Sequence, residues 1–282
     1  MKFKKLSHVL IFCLAILLMF FVINRVLGFL ENKFFPGVGV ANPYLFMTIN
    51  ELITSFMGIL ILKKLGKLNI LKDKGKGFGY GVMLGSIMML PQMYDAFGQI
   101  RYVLGQEPEL QPVSVIITIF CLFVTVGFYE ELMYRGIILG VIDDYFGHKR
   151  SASGVWKTVI LSGLFFGIFH LGNLTNVENF WPVLKQVIDA VGGGMFWGAV
   201  YMRCRNLYSL MFLHALNDIL AAGVWLSIAG TSLWGSLSSS KVNFIGAFIW
   251  LIIHILLTMF LLRKKKMKEI INSCPDKLSA ES

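Results

Sequence analysis

Long apolar runs recur from one end of the chain to the other, and this pattern constrains the fold more than any other feature. A segment needs about 20 predominantly apolar residues to cross a bilayer. It must be helical there, because lipid offers no partner for exposed backbone groups. The sequence therefore predicts an all-α, polytopic membrane helical bundle with about eight transmembrane helices. The predicted spans are roughly residues 8–30, 44–62, 78–98, 113–141, 157–172, 184–203, 207–227 and 243–262.

The composition is that of a membrane protein. Apolar residues make up 56% of the 282 residues, charged residues make up 15%, and the mean hydropathy is +0.69. Soluble domains are about half apolar and about a quarter charged. We expect a single integral membrane domain over residues 1–268, followed by a short cytoplasmic tail over residues 269–282.

Clusters of lysine and arginine produce the net charge of +10, and they fall on alternate connections between the predicted spans. Such residues mark the cytoplasmic side of a membrane protein. With eight spans, every cluster lies on one side and both termini are cytoplasmic. This distribution favours a lipid bilayer over nucleic acid as a partner, and we expect a bacterial cell membrane. The clusters are Lys2, Lys4 and Lys5; Lys63, Lys64, Lys67, Lys72, Lys74 and Lys76; Lys149, Arg150 and Lys157; Arg203 and Arg205; and Arg263, Lys264, Lys265, Lys266 and Lys268.

Two of the predicted spans are irregular. Pro91, Gln92 and Asp95 interrupt the third span, which makes it the least regular of the set. The fourth span, 113–141, is longer than one crossing requires. We expect it either to tilt or to break into a span and an interfacial piece.

Charged groups inside a membrane are costly and usually functional, and Glu130, Glu131 and Arg135 stand together in the fourth apolar run. Glu131 and Arg135 are i,i+4 neighbours on a helix, so they can pair. Glu130 is one position off that row and is left without a close cation. Such a carboxylate can take a proton from water. The alternative is a purely structural ion pair that braces two helices.

A second polar position, His170, follows a glycine-rich helical stretch. Phe166 and His170 share one helix face at i,i+4 spacing, and Gly163 and Gly167 form a GxxxG step that permits close helix approach. His170 should therefore lie beside a tight helix contact. The alternative is a core histidine that is hydrogen-bonded to a backbone carbonyl.

A third polar group lies near the start of the seventh span. His214 and Asp218 are i,i+4 neighbours that can face one cavity, and Asn217 lies on the adjacent row. A capping or packing role could explain Asn217, but it explains the imidazole and the carboxylate less easily. Other polar groups at membrane depth have no such pattern and are interpreted as packing or water-cavity residues: Glu51, Asp95, Asp189 and His254.

Together these three segments resemble the CPBP family of intramembrane proteases, which includes CAAX prenyl proteases and bacteriocin-processing or self-immunity proteins. The family pattern is Glu-Glu-x-x-x-Arg, then Phe-x-x-x-His, then His-x-x-x-Asn or Asp, each on a separate helix. The resemblance covers about residues 113–227, the expected catalytic core. The matching positions are Glu130, Glu131 and Arg135; Phe166 and His170; and His214 and Asp218.

The resemblance implies hydrolysis of a peptide bond at a water-filled site within the membrane, in a membrane-bound peptide precursor or a lipidated protein. Glu130 would be the general base, and His170 would position the water or stabilise the developing charge. His214 and Asp218 would hold the oxyanion, while Arg135 would orient the glutamate pair.

The resemblance leaves two details of the site to be resolved. Asp218 stands where an amide is common in the family, so it would have to be protonated, or Asn217 would act instead. Phe166 and Asn217 are expected to contact the substrate. Counting residues along the spans puts His214 nearer the cytoplasmic side and His170 nearer the outer side.

Three other functions remain open at this level. A zinc protease could use Glu130, His170, His214 and Asp218 as ligands, although no HExxH motif is present; no metal or other cofactor is our expectation. A non-enzymatic immunity protein would keep the motifs without the chemistry. A transporter could use the same groups as a proton relay, but repeat symmetry between halves is not evident.

Overall fold

The computed structural model describes residues 3–147, 151–240 and 242–272. Within these ranges the chain is helical, apart from an isolated β-bridge between Leu110 and Ile228, so the predicted all-α class is confirmed. Residues 273–282, most of the predicted tail, lie outside the described residues, as do Lys2 of the first basic cluster and Lys149 and Arg150 of the third.

The helices before residue 110 form the first part of the bundle. A short helix, α2, links the first two long ones, and a 3₁₀ turn at Leu68–Leu71 follows the second. Their bounds are α1 Leu6–Phe34, α2 Pro36–Ala41, α3 Pro43–Lys64, α4 Phe78–Gly85 and α5 Met89–Gln106.

The helices after residue 110 contain all three motif segments. A 3₁₀ turn, His170–Thr175, directly continues one of them. Their bounds are α6 Val113–Glu131, α7 Gly140–Gly147, α8 Ala152–Phe169, α9 Phe180–Cys204, α10 Leu207–Asp218, α11 Val224–Leu226, α12 Leu233–Ser239, α13 Phe244–Leu261 and α14 Lys264–Asn272.

Six helical segments of the described residues are long and apolar enough to cross a membrane. The remaining two predicted spans, the third and the sixth, coincide with α4–α5 and α9. About eight crossings is therefore consistent with the helices observed. The six segments are Leu6–Phe34, Pro43–Lys64, Val113–Phe146, Ala152–Thr175, Leu207–Leu226 and Phe244–Leu261.

Both irregular spans depart from a plain α-helix. The third is broken by a 3₁₀ turn at Ser86–Met88, just before Pro91, which has no backbone N–H to donate in a helix. The fourth neither breaks nor ends at Glu131. It continues through a π-helical segment, Leu132–Leu139, into α7. A second π-helical segment, Ile219–Gly223, follows α10 in the same way.

The outer helices expose apolar side chains as a lipid-facing protein does. Soluble monomers rarely expose large contiguous apolar patches. On α1 and α13, however, bulky side chains are more than half exposed along the length of each helix. Examples are Ile11, Leu18 and Phe29 at 63%, Ile245 at 76% and Phe260 at 61%. Together with the long apolar helices, these surfaces identify an integral membrane protein.

The basic connections meet at one end of the bundle. The Nζ atom of Lys67, after α3, lies 2.7 Å from a carboxylate oxygen of Asp144 on α7. Arg205, after α9, pairs with Asp143 on α7 at 3.0 Å. These two ion pairs bring the ends of the second, fourth and sixth predicted spans together at one end of the bundle.

Glycines bring α8 and α9 into close contact, as the GxxxG step predicts. A Cβ atom added at Gly163 would lie 2.8 Å from the backbone nitrogen of Met195, and one at Gly167 would lie 2.9 Å from a carbonyl oxygen of α9. On the other helix, a Cβ at Gly194 would lie 2.9 Å from the Cα of Gly163. This contact fixes the part of α8 that carries Phe166.

Candidate active site

The site is built where the backbones of α6 and α10 touch. A Cβ atom at Gly127 would lie 2.8 Å from both the backbone nitrogen of Ala215 and the carbonyl oxygen of Met211. Only glycine permits so close an approach. Since Glu131 is one helical turn beyond Gly127, the contact brings Glu131 beside His214.

Glu131 is the buried centre of the site. Its Oε1 atom accepts a hydrogen bond of 2.7 Å from Nη1 of Arg135 and lies 2.8 Å from Nδ1 of His214. Glu131 and Arg135 are both 0% exposed. A carboxylate that is paired with a guanidinium can only accept, so Nδ1 of His214 is the donor. The predicted Glu131–Arg135 pair is confirmed.

Glu130 stands apart from that ion pair. Its Oε2 atom lies 3.5 Å from Nε2 of His214, and its side chain keeps 16% of its surface exposed. No ion pair joins Glu130 to Arg135 among the described residues. The two glutamates therefore hold the same imidazole from its two nitrogens, but only Glu131 is tied to the guanidinium.

Asp218, rather than Asn217, faces the imidazole. Its Oδ2 atom lies 3.8 Å from Nε2 of His214. The side-chain amide of Asn217 donates to Oδ1 of Asp218 at 3.3 Å. The Nε2 atom of His214 is thus flanked by two carboxylates, Glu130 and Asp218.

Phe166 links the three motif segments. The Arg135 guanidinium lies 5.0 Å from its ring centroid, and the rings of His170 and His214 lie at 5.0 Å and 6.1 Å. Both histidines contact the same ring, so the second and third motifs meet despite the different depths that residue counting suggests.

His170 has a defined hydrogen bond at the end of α8. Its Nδ1 atom lies 2.9 Å from the carbonyl oxygen of Phe166. A carbonyl only accepts, so Nδ1 is the donor, and the other ring nitrogen of the neutral imidazole is an acceptor. This is the bond that a purely structural histidine would make, but it also leaves Nε2 free for chemistry.

Several buried polar atoms around Glu131 lack a hydrogen-bond partner within the described residues. They are Oε2 of Glu131, Nε and Nη2 of Arg135, and the hydroxyl of Tyr134. Buried polar atoms are nearly always satisfied by protein or ordered water. These atoms can therefore bind water or the polar groups of a substrate.

The donor set does not converge as a metal site requires. Among the described residues, no group of three or more His, Cys, Asp or Glu side chains could hold a metal ion. The described residues therefore contain no preformed set of ligands for the zinc site that the sequence left open.

Residues 112–220, about two fifths of the chain, match the family model described as Rce1-like, type II CAAX prenyl endopeptidase. The matched range includes every motif residue from Glu130 to Asp218. This part of the chain is similar to the CAAX protease family. The resemblance to CPBP proteases is confirmed, and the family is a family of hydrolases. No match is found among curated proteins or solved structures.

Two residues of this candidate site were not singled out from the sequence. The Tyr134 ring packs edge-on against Phe166 at 4.7 Å, although in the sequence it was only a spacer between Glu131 and Arg135. Gly127 sets the α6–α10 contact. The sequence shows only a glycine one turn before Glu131. The need for glycine at this position becomes clear from its contact with α10.

Proposed function

We propose that this protein is an intramembrane endopeptidase that hydrolyses a peptide bond in a membrane-associated peptide or lipidated protein. One observation carries the proposal. Glu130 is a partly exposed carboxylate, free of the Arg135 ion pair, and lies 3.5 Å from Nε2 of His214. A base and a potential proton donor are thus adjacent, as amide hydrolysis requires.

Glu130 activates the water in this proposal. A water molecule donates one hydrogen to Glu130 and the other to the acceptor nitrogen of His170. The oxygen lone pair then points at the carbonyl carbon of the substrate. Glu130 takes the proton as the C–O bond forms, and it later passes that proton to the leaving amine. General base catalysis of this kind contributes about 10²- to 10⁴-fold.

His214 stabilises the oxyanion. Its Nδ1 atom is held by Glu131, so Nε2 is the nitrogen that can donate to the tetrahedral intermediate. Arg135 keeps Glu131 in position. An ionised Asp218 cannot donate to an oxyanion. Its role is to orient His214, with Asn217 bonded to its other oxygen. Phe166 supports both histidines and forms part of the wall that the substrate meets.

The proposed reaction uses no metal or other cofactor. Its partners are a membrane peptide or protein substrate and the lipid bilayer, with no role for nucleic acid. We place the protein in a bacterial cell membrane with both termini in the cytoplasm. This orientation is supported by the basic connections that meet at one end of the bundle. Reporter fusions at each terminus test this orientation, because a reporter fused to a cytoplasmic terminus stays in the cytoplasm.

Comparative peptidomics of cells that carry wild-type or Glu130→Gln protein tests the function. We expect an uncut membrane peptide or protein to accumulate in the variant, because only the base has been removed. Glu31→Gln is the matched control. It makes the same change in α1, about three turns beyond Phe20, the α1 residue whose ring contacts Tyr129. Identical peptide profiles in wild-type and Glu130→Gln cells, at equal abundance, would contradict the proposal.

A further inference from the structure

We propose that Glu51 of α3 binds a cationic side chain of the substrate, a Lys or an Arg. The inference rests on the proposed function, because it assigns a substrate contact to the same site. It concerns a residue that the sequence pattern left as a packing or water-cavity group.

Glu51 lies on the face of α3 that packs into the bundle. The inward positions of this helix recur at alternating intervals of four and three residues, which is the spacing of one helix face. Glu51 occupies one of these positions and is the acidic member of the series. The other members are all buried: Tyr44, Thr48, Ser55, Gly58 and Leu62.

This face of α3 runs along α6, which carries the glutamate pair. Near the start of both helices, the Asn42 side chain donates to the hydroxyl of Thr118 at 2.9 Å. Further along, a Cβ at Gly58 would lie 2.8 Å from a side-chain atom of Leu132. The two contacts follow in the same order, so the helices run parallel.

Interpolation between these contacts sets the level of Glu51. At about 1.5 Å per residue along each helix, Ser55 is level with Glu130. Glu51 lies four residues, about 6 Å, back along α3 from that level. Glu51 and Glu130 therefore lie within about one helical turn of the same level on adjacent helices.

Glu51 has no strong partner within the described residues. Its nearest hydrogen-bond donor is the Thr54 hydroxyl, at 3.4 Å, which donates to the carbonyl of Asn50 at the shorter distance of 2.8 Å. No ion pair to Glu51 is formed among these residues. This carboxylate is therefore available to a ligand.

Ser55 gives an independent indication that a ligand binds along this wall. Its hydroxyl is buried, with 4% of the residue exposed, and has no hydrogen-bond partner within the described residues. It lies one turn from Glu51 on the same face. A substrate backbone running along α3 would satisfy this hydroxyl while a cationic group reached Glu51.

The balance of charge favours a cation. A membrane interior stabilises a charge only when it is paired or hydrated. Within the described residues, the acidic groups at this site outnumber the basic ones. The basic groups that face them are the Arg135 guanidinium and the His214 imidazole. A positively charged substrate group would reduce this imbalance. The acidic groups are Glu51, Glu130, Glu131 and Asp218.

A binding experiment tests the assignment without requiring cleavage. The protein is purified in lipid nanodiscs as Glu130→Gln, which prevents turnover, and compared with Glu130→Gln/Glu51→Gln. The probes are 12-residue alanine–leucine peptides with one lysine at each position in turn. Each has a partner peptide with norleucine, which keeps the stem and removes the charge. Glu130→Gln/Glu31→Gln is the matched control protein.

For one position of the peptide, or two adjacent positions, we expect the lysine peptide to bind about tenfold tighter than its norleucine partner. Glu51→Gln should abolish this preference and leave norleucine binding unchanged, and Glu51→Asp should keep part of it. Equal binding of lysine and norleucine everywhere would overturn the inference. So would a preference that survives Glu51→Gln, or equal weakening of both peptides. Failure of the proposed function would show separately, as wild-type protein that binds these peptides but cleaves none.

Discussion

Two π-helical segments, Leu132–Leu139 and Ile219–Gly223, each begin directly after a motif carboxylate, but they are packed very differently. Every residue of the first segment is buried, whereas Gly223 is the buried residue of the second. Such segments occur often at functional sites, because the wider turn redirects side chains. The first segment holds Arg135 in a buried ion pair with Glu131. The polar groups beside the second segment are more loosely held.

The hydrogen bonds show the same difference. The first segment holds Arg135 against Glu131 at 2.7 Å with no exposure of either residue. Around the second, Asp218 and Asn217 are partly exposed and make longer contacts, at 3.8 Å and 3.3 Å. We therefore expect changes in the first region to disrupt folding and changes in the second to adjust the rate of cleavage.

The largest effect is expected from Arg135→Met, which leaves Glu131 buried without its cation. Breaking a buried pair in this way costs about 3–5 kcal/mol. The free energy of unfolding, measured by SDS titration in mixed micelles, should fall by that amount. Lys185→Met is the control, because its pair with Asp189 has the same spacing but is 31% exposed on each side chain. If both variants lose the same free energy of unfolding, the buried Glu131–Arg135 pair is no more important for folding than the exposed Lys185–Asp189 pair.

Gly127→Ala should separate the two regions. The new Cβ would meet backbone atoms of α10 at 2.8 Å, so the helices must move apart. Such overpacking costs about 1–3 kcal/mol, and cleavage should fall further, because Glu131 then no longer holds His214. Gly98→Ala on α5 is the control, since its Cβ would meet nothing within 4 Å. A Gly127→Ala protein with full activity would contradict the assigned contact.

Asp218→Asn should slow cleavage by about tenfold or less at unchanged abundance. The amide keeps a polar partner for His214 but loses the charge that faces Nε2, and a tenfold change corresponds to about 1.4 kcal/mol. The rate is measured on the substrate found by peptidomics. A loss of folding in this variant would show that the second region is as rigid as the first.

Asn217→Ala should have a smaller effect, about two- to fivefold on the same rate. It removes one hydrogen bond of 3.3 Å to a partly exposed carboxylate, and such bonds contribute about 0.5–1 kcal/mol. Normal activity together with lower thermal stability would instead indicate a structural role for the amide.

Chelation should have the smallest effect. We expect unchanged cleavage after dialysis against a strong chelator, since the proposed steps use only side chains and water. Elemental analysis of the same sample measures the metal content. Loss of activity that zinc restores would defeat this expectation and favour a zinc-dependent mechanism with a rearranged donor set.

Much of this arrangement follows from local spacing in the sequence. The Glu131–Arg135 pair and the GxxxG contact depend on residues within one helix turn, so the pattern alone predicts them. The contact of Gly127 with α10 and the shared ring of Phe166 depend on tilts between helices that are distant in sequence. Spacing carries no information on those tilts, so counting residues could not show that His170 and His214 contact the same ring.

The two π-helical segments and the choice between Asn217 and Asp218 were also beyond the sequence. A π-turn differs from an α-turn by one residue in its hydrogen bonding, which leaves no clear trace in an apolar run. Asn217 and Asp218 are neighbours on adjacent rows of one helix, and only the position of His214 distinguishes them.

The Glu131–Arg135 pair also has a consequence for biosynthesis. Its partners are four residues apart on one helix, so the bond can form as soon as that helix exists. A lone charge at the centre of an inserting helix costs about 2.5–3.5 kcal/mol. The segment Val113–Phe146 can thus enter lipid with this charge already neutralised. His214, which Glu130 faces, is made 83 residues after Glu131, so the proposed active site around Glu130 is completed only after a later helix is made.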